Sequence, residues 1–85
     1  MDLTPSQSRA ARGLLDWSQT KLASASNLSE STVRDFEKGR RVPSINNLAA
    51  IRYALESAGV IFQAAGEMTE GGPGVRLGKV EGADE

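Results

Sequence analysis

The side chains able to act on a ligand gather between Gln19 and Asn47, and they are donors and anions rather than nucleophiles. Arg34, Lys38, Arg40 and Arg41 supply positive charge, Ser29, Ser31 and Thr32 supply hydroxyls, and Gln19, Asn46 and Asn47 supply amides. Carboxylates lie among them at Glu30, Asp35 and Glu37. The chain has no His and no Cys, which removes imidazole catalysis, thiolate chemistry, disulfides and the usual zinc ligands. The three acids fall on one exposed helix with no concave partner, so no catalytic constellation, no metal site and no cofactor are expected, and the chain reads as a non-enzyme. The Gly71-Gly72-Pro73-Gly74 run is a turn rather than a phosphate cradle, because no strand-loop-helix context surrounds it and no Lys follows. What remains is a helix surface of donors and anions rather than a catalytic site.

Those residues need elements to hold them. Ser18 is placed to cap a helix in which Leu22, Ala23 and Ala25 are the apolar positions. Asn27 stands where the chain must turn sharply, and Asn tolerates the left-handed conformation better than most non-glycine residues. Ser29 caps a further helix through Lys38, with Val33 and Phe36 three apart on one face and Gly39 as its stop. Upstream, Thr4-Pro5 reads as N-cap and first helical residue, with Leu3 packing back as a staple. That first helix is expected over Pro5 to Leu15, with Ala11, Leu14 and Leu15 inward and with Ser8 and Gly13 weakening it. Asp16-Trp17 connects it to the next helix, and Trp17 is expected to pack at that junction. Downstream, Arg40-Arg41-Val42-Pro43 forms a loop, since the residue before proline is pushed out of the helical region. Ser44 caps a last helix in which Ile45, Leu48, Ile51 (or the stem of Arg52), Leu55 and Ala58 share a face, and Gly59 ends it.

Beyond Gly59 the character changes. Val60-Ile61-Phe62-Gln63 is prone to form a strand and Val75-Arg76-Leu77 more weakly so, with a glycine-rich connection too long for a tight hairpin between them. Seven of the nine glycines lie between Gly59 and Gly82. The expected division is residues 1–59 as a compact all-α, four-helix domain and residues 60–85 as a short C-terminal β extension or flexible tail, frayed at the end. Eighty-five residues suit one such domain.

The net charge of −1 argues against strong affinity for nucleic acid, but it is unevenly placed. Through Leu55 eight Lys or Arg face five acids, a net of +3; from Glu56 onward six acids face only Arg76 and Lys79, a net of −4. No apolar run approaches the roughly 20 residues that span a membrane, and the N-terminus lacks a signal-peptide core, so a cytoplasmic protein with no membrane partner is expected.

The order Trp17-Ser18-Gln19-x-x-Leu22-Ala23, then Leu28-Ser29-x-x-Thr32-Val33-x-x-Phe36-Glu37-x-Gly39-x-Arg41-x-Pro43-Ser44, resembles the lambda-repressor-like, Cro/C1-type helix-turn-helix family over about Leu3 to Val60. Asn27 departs from the glycine often found at the turn but can adopt the same backbone. The resemblance implies that the second helix lies across the DNA backbone and the third enters the major groove. It implies that Ser29, Glu30, Ser31, Arg34 and Asp35 face the bases. Arg34 is then placed for a bidentate contact to guanine, while Glu30 or Asp35 either accepts from cytosine, holds Arg34 or repels wrong sequences. The alternative for Arg34 is an ordinary helix-surface pair with Glu30 or Glu37. Gln19, Thr32, Lys38, Arg40, Arg41, Ser44, Asn46 and Asn47 are implied to meet the backbone, and Arg12 with Glu37 to form a structural ion pair. The tail resembles, more loosely, short bacterial regulators with a β extension.

The function so implied is sequence-specific regulation of transcription, as a repressor, by a homodimer on a palindromic operator. The dimer interface is expected at Val60, Ile61, Phe62 and Gln63, because an unpaired strand of such residues is poorly suited to water. Two other roles stay open: an antiactivator that sequesters a transcription factor, to which the near-neutral charge and the acids of the third helix lend support, and the antitoxin of a toxin–antitoxin pair.

Overall fold

The computed structural model describes residues 3–63 and 74–77. Four helices, α1 (Pro5–Leu15), α2 (Gln19–Ser26), α3 (Glu30–Glu37) and α4 (Ile45–Ser57), precede two antiparallel strands, β1 (Val60–Gln63) and β2 (Gly74–Leu77). The fold is thus all-α with a small β extension.

Each helix starts on a hydroxyl cap. Thr4, Ser18, Ser29 and Ser44 accept from the backbone N–H three residues on, at Gln7, Lys21, Thr32 and Asn47. Such a cap contributes about 1 kcal/mol, which matters for helices as short as the eight residues of α2 and α3. The first three helices stop in one way. Asp16, Asn27 and Gly39 take positive φ angles of 59°, 60° and 76°. Each is followed by an N–H that reaches back five residues: Trp17 to Arg12, Leu28 to Ala23 and Arg40 to Asp35, all at 2.9 Å. The left-handed residue reverses the chain and the back-bonds fill the orphan carbonyls. Trp17 and Leu28, next in sequence, then pack half-buried against the core.

The core gathers Leu3, Ala11, Leu22, Ala23, Val33, Phe36, Ile51, Ala54 and Leu55 from the helices and their approach, with Val60 and Phe62 from β1. Two residues expected inward lie outside it. Leu14 is 44% exposed, because the inward stripe of α1 is Gln7, Ser8, Ala11 and Leu15 and Leu14 falls on its rim. Ile45 is 86% exposed: it opens α4 one turn ahead of the point where that helix meets its neighbours, so the inward stripe begins at Leu48. Ser8, expected to weaken α1, is fully buried and hydrogen-bonded.

The strand expectation also changes. β1 is not unpaired: Val60, Ile61, Phe62 and Gln63 stand opposite Leu77, Arg76, Val75 and Gly74. Alternation along β1 turns Val60 and Phe62 into the core and leaves Ile61 outward. One side chain secures the pair to α1. Gln7, buried, donates through Nε2 to the carbonyls of Gln63 (3.0 Å) and Gly74 (3.1 Å), while its Oε1 accepts from the Thr4 N–H. The glycine-rich connection and the terminal segment after Leu77 lie outside the described residues.

Candidate nucleic-acid interface

The residues of the expected interface are exposed or half-buried, from the start of α2 through α3 to the start of α4. The face of α3 opposite Val33, Phe36 and Glu37 carries Ser29, Glu30 and Ser31 exposed, with Arg34, Asp35 and Thr32 half-buried beside them. The hydroxyls interact: Ser29 Oγ lies 2.8 Å from Thr32 Oγ1 and 3.2 Å from Ser31 Oγ, besides capping the Thr32 N–H at 3.1 Å. Lys38, Arg40, Arg41, Ser44 and Asn46 are exposed and Asn47 is half-buried, around the open N-terminus of α4.

Arg34 forms no ion pair among the described residues. Among the described residues only Arg12–Glu37 and Arg52–Glu56 pair, so neither Glu30 nor Asp35 holds the guanidinium. Asp35 is its immediate neighbour and projects from a different side of the helix, and Glu30 stands at the first helical position. The fork and the two carboxylates are therefore separate groups on one surface, able to donate to guanine-type acceptors or accept from amino groups.

Behind this surface lies a polar hub. The carboxylate of Glu37, only 1% exposed, accepts from Arg12 Nη2 at 2.7 Å, Arg12 Nε at 3.0 and 3.1 Å, Ser8 Oγ at 2.5 Å and Gln19 Nε2 at 3.1 Å. Arg12 also donates to the Trp17 carbonyl at 3.0 Å, and Arg9 donates to the backbone carbonyl of Glu37. Burial pushes the Glu37 carboxyl up, but the hydrogen bonds from Arg12, Ser8 and Gln19, with the Arg12 charge, outweigh it and hold the group below its ordinary value. Among the described residues no buried side-chain nitrogen or oxygen lacks a partner.

Gln19, expected at the DNA backbone, thus spends one N–H on Glu37. Two contributions are not evident from the sequence reading. Gln7 escaped it although Thr4-x-x-Gln7 is a capping-box spacing, and the box is formed. The bond of Ser8 to Glu37 had no local signal, since the partners are 29 residues apart. Trp17 packs half-buried at the helix junction, with the Lys21 ammonium 5.4 Å from its ring centre. Among the described residues no group of His, Cys, Asp or Glu could hold a metal ion, and no helix is long and apolar enough to cross a membrane.

Two short capped helices joined through a left-handed Asn27, with the second presenting a polar face, define a helix-turn-helix domain. The helix-turn-helix family model matches residues 9–56, more than half of the chain, and the protein belongs to the Cro/C1-type helix-turn-helix family. That is a family of DNA-binding transcription regulators rather than of enzymes. A comparison with curated proteins finds no match.

Proposed function

We propose that the protein is a repressor that binds a near-palindromic operator as a homodimer, with α3 in the major groove and α2 across the backbone. The observation that carries this reading is the outward face of α3. Arg34, free of any ion pair among the described residues, stands there among Ser29, Glu30, Ser31 and Asp35. A guanidinium on a groove-entering helix is the commonest reader of guanine. Gln19, Thr32, Lys38, Arg40, Arg41, Ser44, Asn46 and Asn47 meet the flanking phosphates, aided by the positive end of α4.

One such helix offers few base contacts, and two half-sites one helical turn apart would supply the rest. Because Val60 and Phe62 are held in the chain's own core, the second copy docks on the outer side of β1, where Ile61 is exposed and Gln63 closes the strand. The test is selection from random-sequence DNA by the full chain, followed by sedimentation of the wild type and Ile61→Glu. A symmetric site pair, a dimeric wild type and a monomeric variant are expected. Absence of any preferred sequence overturns the reading of α3, and an unchanged dimer mass moves the interface elsewhere.

The antiactivator reading draws on one observation: Glu30 and Asp35 face outward with no ion pair among the described residues. It predicts a stable complex with a basic protein surface that survives Arg34→Ala.

A further inference from the structure

We propose that Glu37, a buried residue out of reach of DNA, is a positioning residue for DNA binding: its carboxylate fixes the side-chain amide of Gln19 so that an N–H faces a backbone phosphate. The inference rests on the reading that Gln19 meets a phosphate and adds the device that aims it.

The geometry supports it in three steps. First, the carboxylate is held on both oxygens. Ser8 and Arg12 of α1 hold both its oxygens, Arg9 holds the backbone carbonyl of the same residue, and the side chain is 1% exposed. Second, this fixed anion touches the first residue of α2, with Gln19 Nε2 donating to Oε1 at 3.1 Å. A primary amide has a donor end and an acceptor end, and beside a carboxylate only the donor end is favourable. The charge of Glu37 therefore selects one of the two amide orientations. Third, Gln19 is half-buried and makes no other side-chain hydrogen bond among the described residues, so its second N–H and its Oε1 are left for a ligand.

Glu37 ends α3 while Gln19 begins α2, so this contact also locks the two helices of the motif to each other at the edge nearest the DNA backbone. A neutral group at 37 would let the amide turn over and offer its oxygen to a phosphate, which repels it. Preorganised donors bind more tightly than donors that must be ordered on arrival.

The experiment is a double-mutant cycle on the full chain, using as probe the DNA fragment that the wild-type chain selects from random sequence. Wild type, Gln19→Ala, Glu37→Gln and the double variant are compared at a temperature where circular dichroism shows all four folded. Each single variant is expected to bind about tenfold more weakly, the size of one hydrogen bond to a charged group, and the double variant no more weakly than either single one. Replacing phosphates one at a time by uncharged methylphosphonates should locate a single linkage at which both losses vanish together. Should Glu37→Gln fail to fold, Glu37→Asp keeps the charge but draws the oxygens back by one methylene, and the same coupling is expected. Losses that multiply in the double variant, or a Glu37 effect that ignores the Gln19 linkage, overturn the inference and leave Gln19 as an independent phosphate contact. A Gln19→Ala variant that binds like the wild type overturns both the inference and the reading of Gln19.

Discussion

Arg12→Met gives the sharpest test of the hub behind α3. The substitution keeps an unbranched stem in α1 and removes the guanidinium that makes three of the five hydrogen bonds to the Glu37 carboxylate. Ser8 and Gln19 remain, which is too little for a carboxylate only 1% exposed. Removing one partner of a buried pair costs about 3–5 kcal/mol. Arg12 itself is 19% exposed, so part of its charge is already solvated and about 3 kcal/mol is the better expectation. For 85 residues the whole stability is on the order of 4–13 kcal/mol, so the loss is a large fraction and urea denaturation resolves it.

The pH dependence supplies a second signature whose sign differs between the two proteins. In the wild type the folded carboxyl sits below its ordinary value. Its stabilisation is therefore fully present above the unfolded value of about 4.3 and is lost as pH falls through the lower, folded one. Without Arg12, burial is left as the dominant influence and raises the folded value above the unfolded one. The Glu37 contribution is then fully present below about pH 4.3 and is lost as pH rises through the folded value. Acidification from neutrality should therefore narrow the stability gap between variant and wild type. Comparing variant with wild type isolates the Glu37 contribution. A loss under about 1 kcal/mol, or a gap that is constant or widens toward acid, would refute the reasoning.

Three further outcomes are expected. Phe62→Ala should destabilise the fold by about 3 kcal/mol or more, since the ring is 7% exposed within the helical core; a change near zero would make the β pair a mere appendage. Gly13→Ala should stabilise by about 0.5–1 kcal/mol in thermal unfolding, because Gly13 lies within α1 and an added methyl meets nothing within 4 Å beyond the helix's own adjoining backbone; a destabilised variant would contradict that helix surface. Arg40→Ala, exposed beside the start of α4, should weaken binding to every DNA sequence alike and lower the salt slope by about 1, whereas an unchanged slope would remove it from the phosphates.

Local chemistry in the chain accounts for most of the helical frame. The four hydroxyl caps and the stops at Asn27 and Gly39 are encoded within a few residues of where they act, so they could be read directly. Asp16, expected only as part of a connection, takes the same left-handed stop as Asn27. Periodicity was less reliable at the ends of helices. Leu14 and Ile45 fit an apolar stripe by spacing, but a stripe is buried only where another element covers it. The β pair was the harder part. Whether Val60 and Phe62 found cover within the chain depended on β2, and on Gln7 bonding to two carbonyls 56 and 67 residues away. No local pattern reports such a contact.

At the candidate interface the positions of the charged and hydroxyl groups follow from helical spacing, whereas their pairing does not. Arg34 had acids within reach along the sequence and pairs with neither. Gln19, expected outward, is bound on one side by a carboxylate from the far end of α3. Both outcomes depend on side-chain direction across a packed junction, which residue order alone leaves open.

The central claim is that α3 reads bases through Arg34, and the most direct measurement is the ratio of specific to non-specific DNA affinity for Arg34→Ala beside the wild type, at one fixed salt concentration. Arg34→Ala is expected to lose about 1–3 kcal/mol on the selected site, to tolerate any base at one position of each half-site, and to keep its affinity for unrelated DNA to within the small cost of one charge. Equal losses on selected and unrelated sequences would reduce Arg34 to a phosphate contact and contradict it.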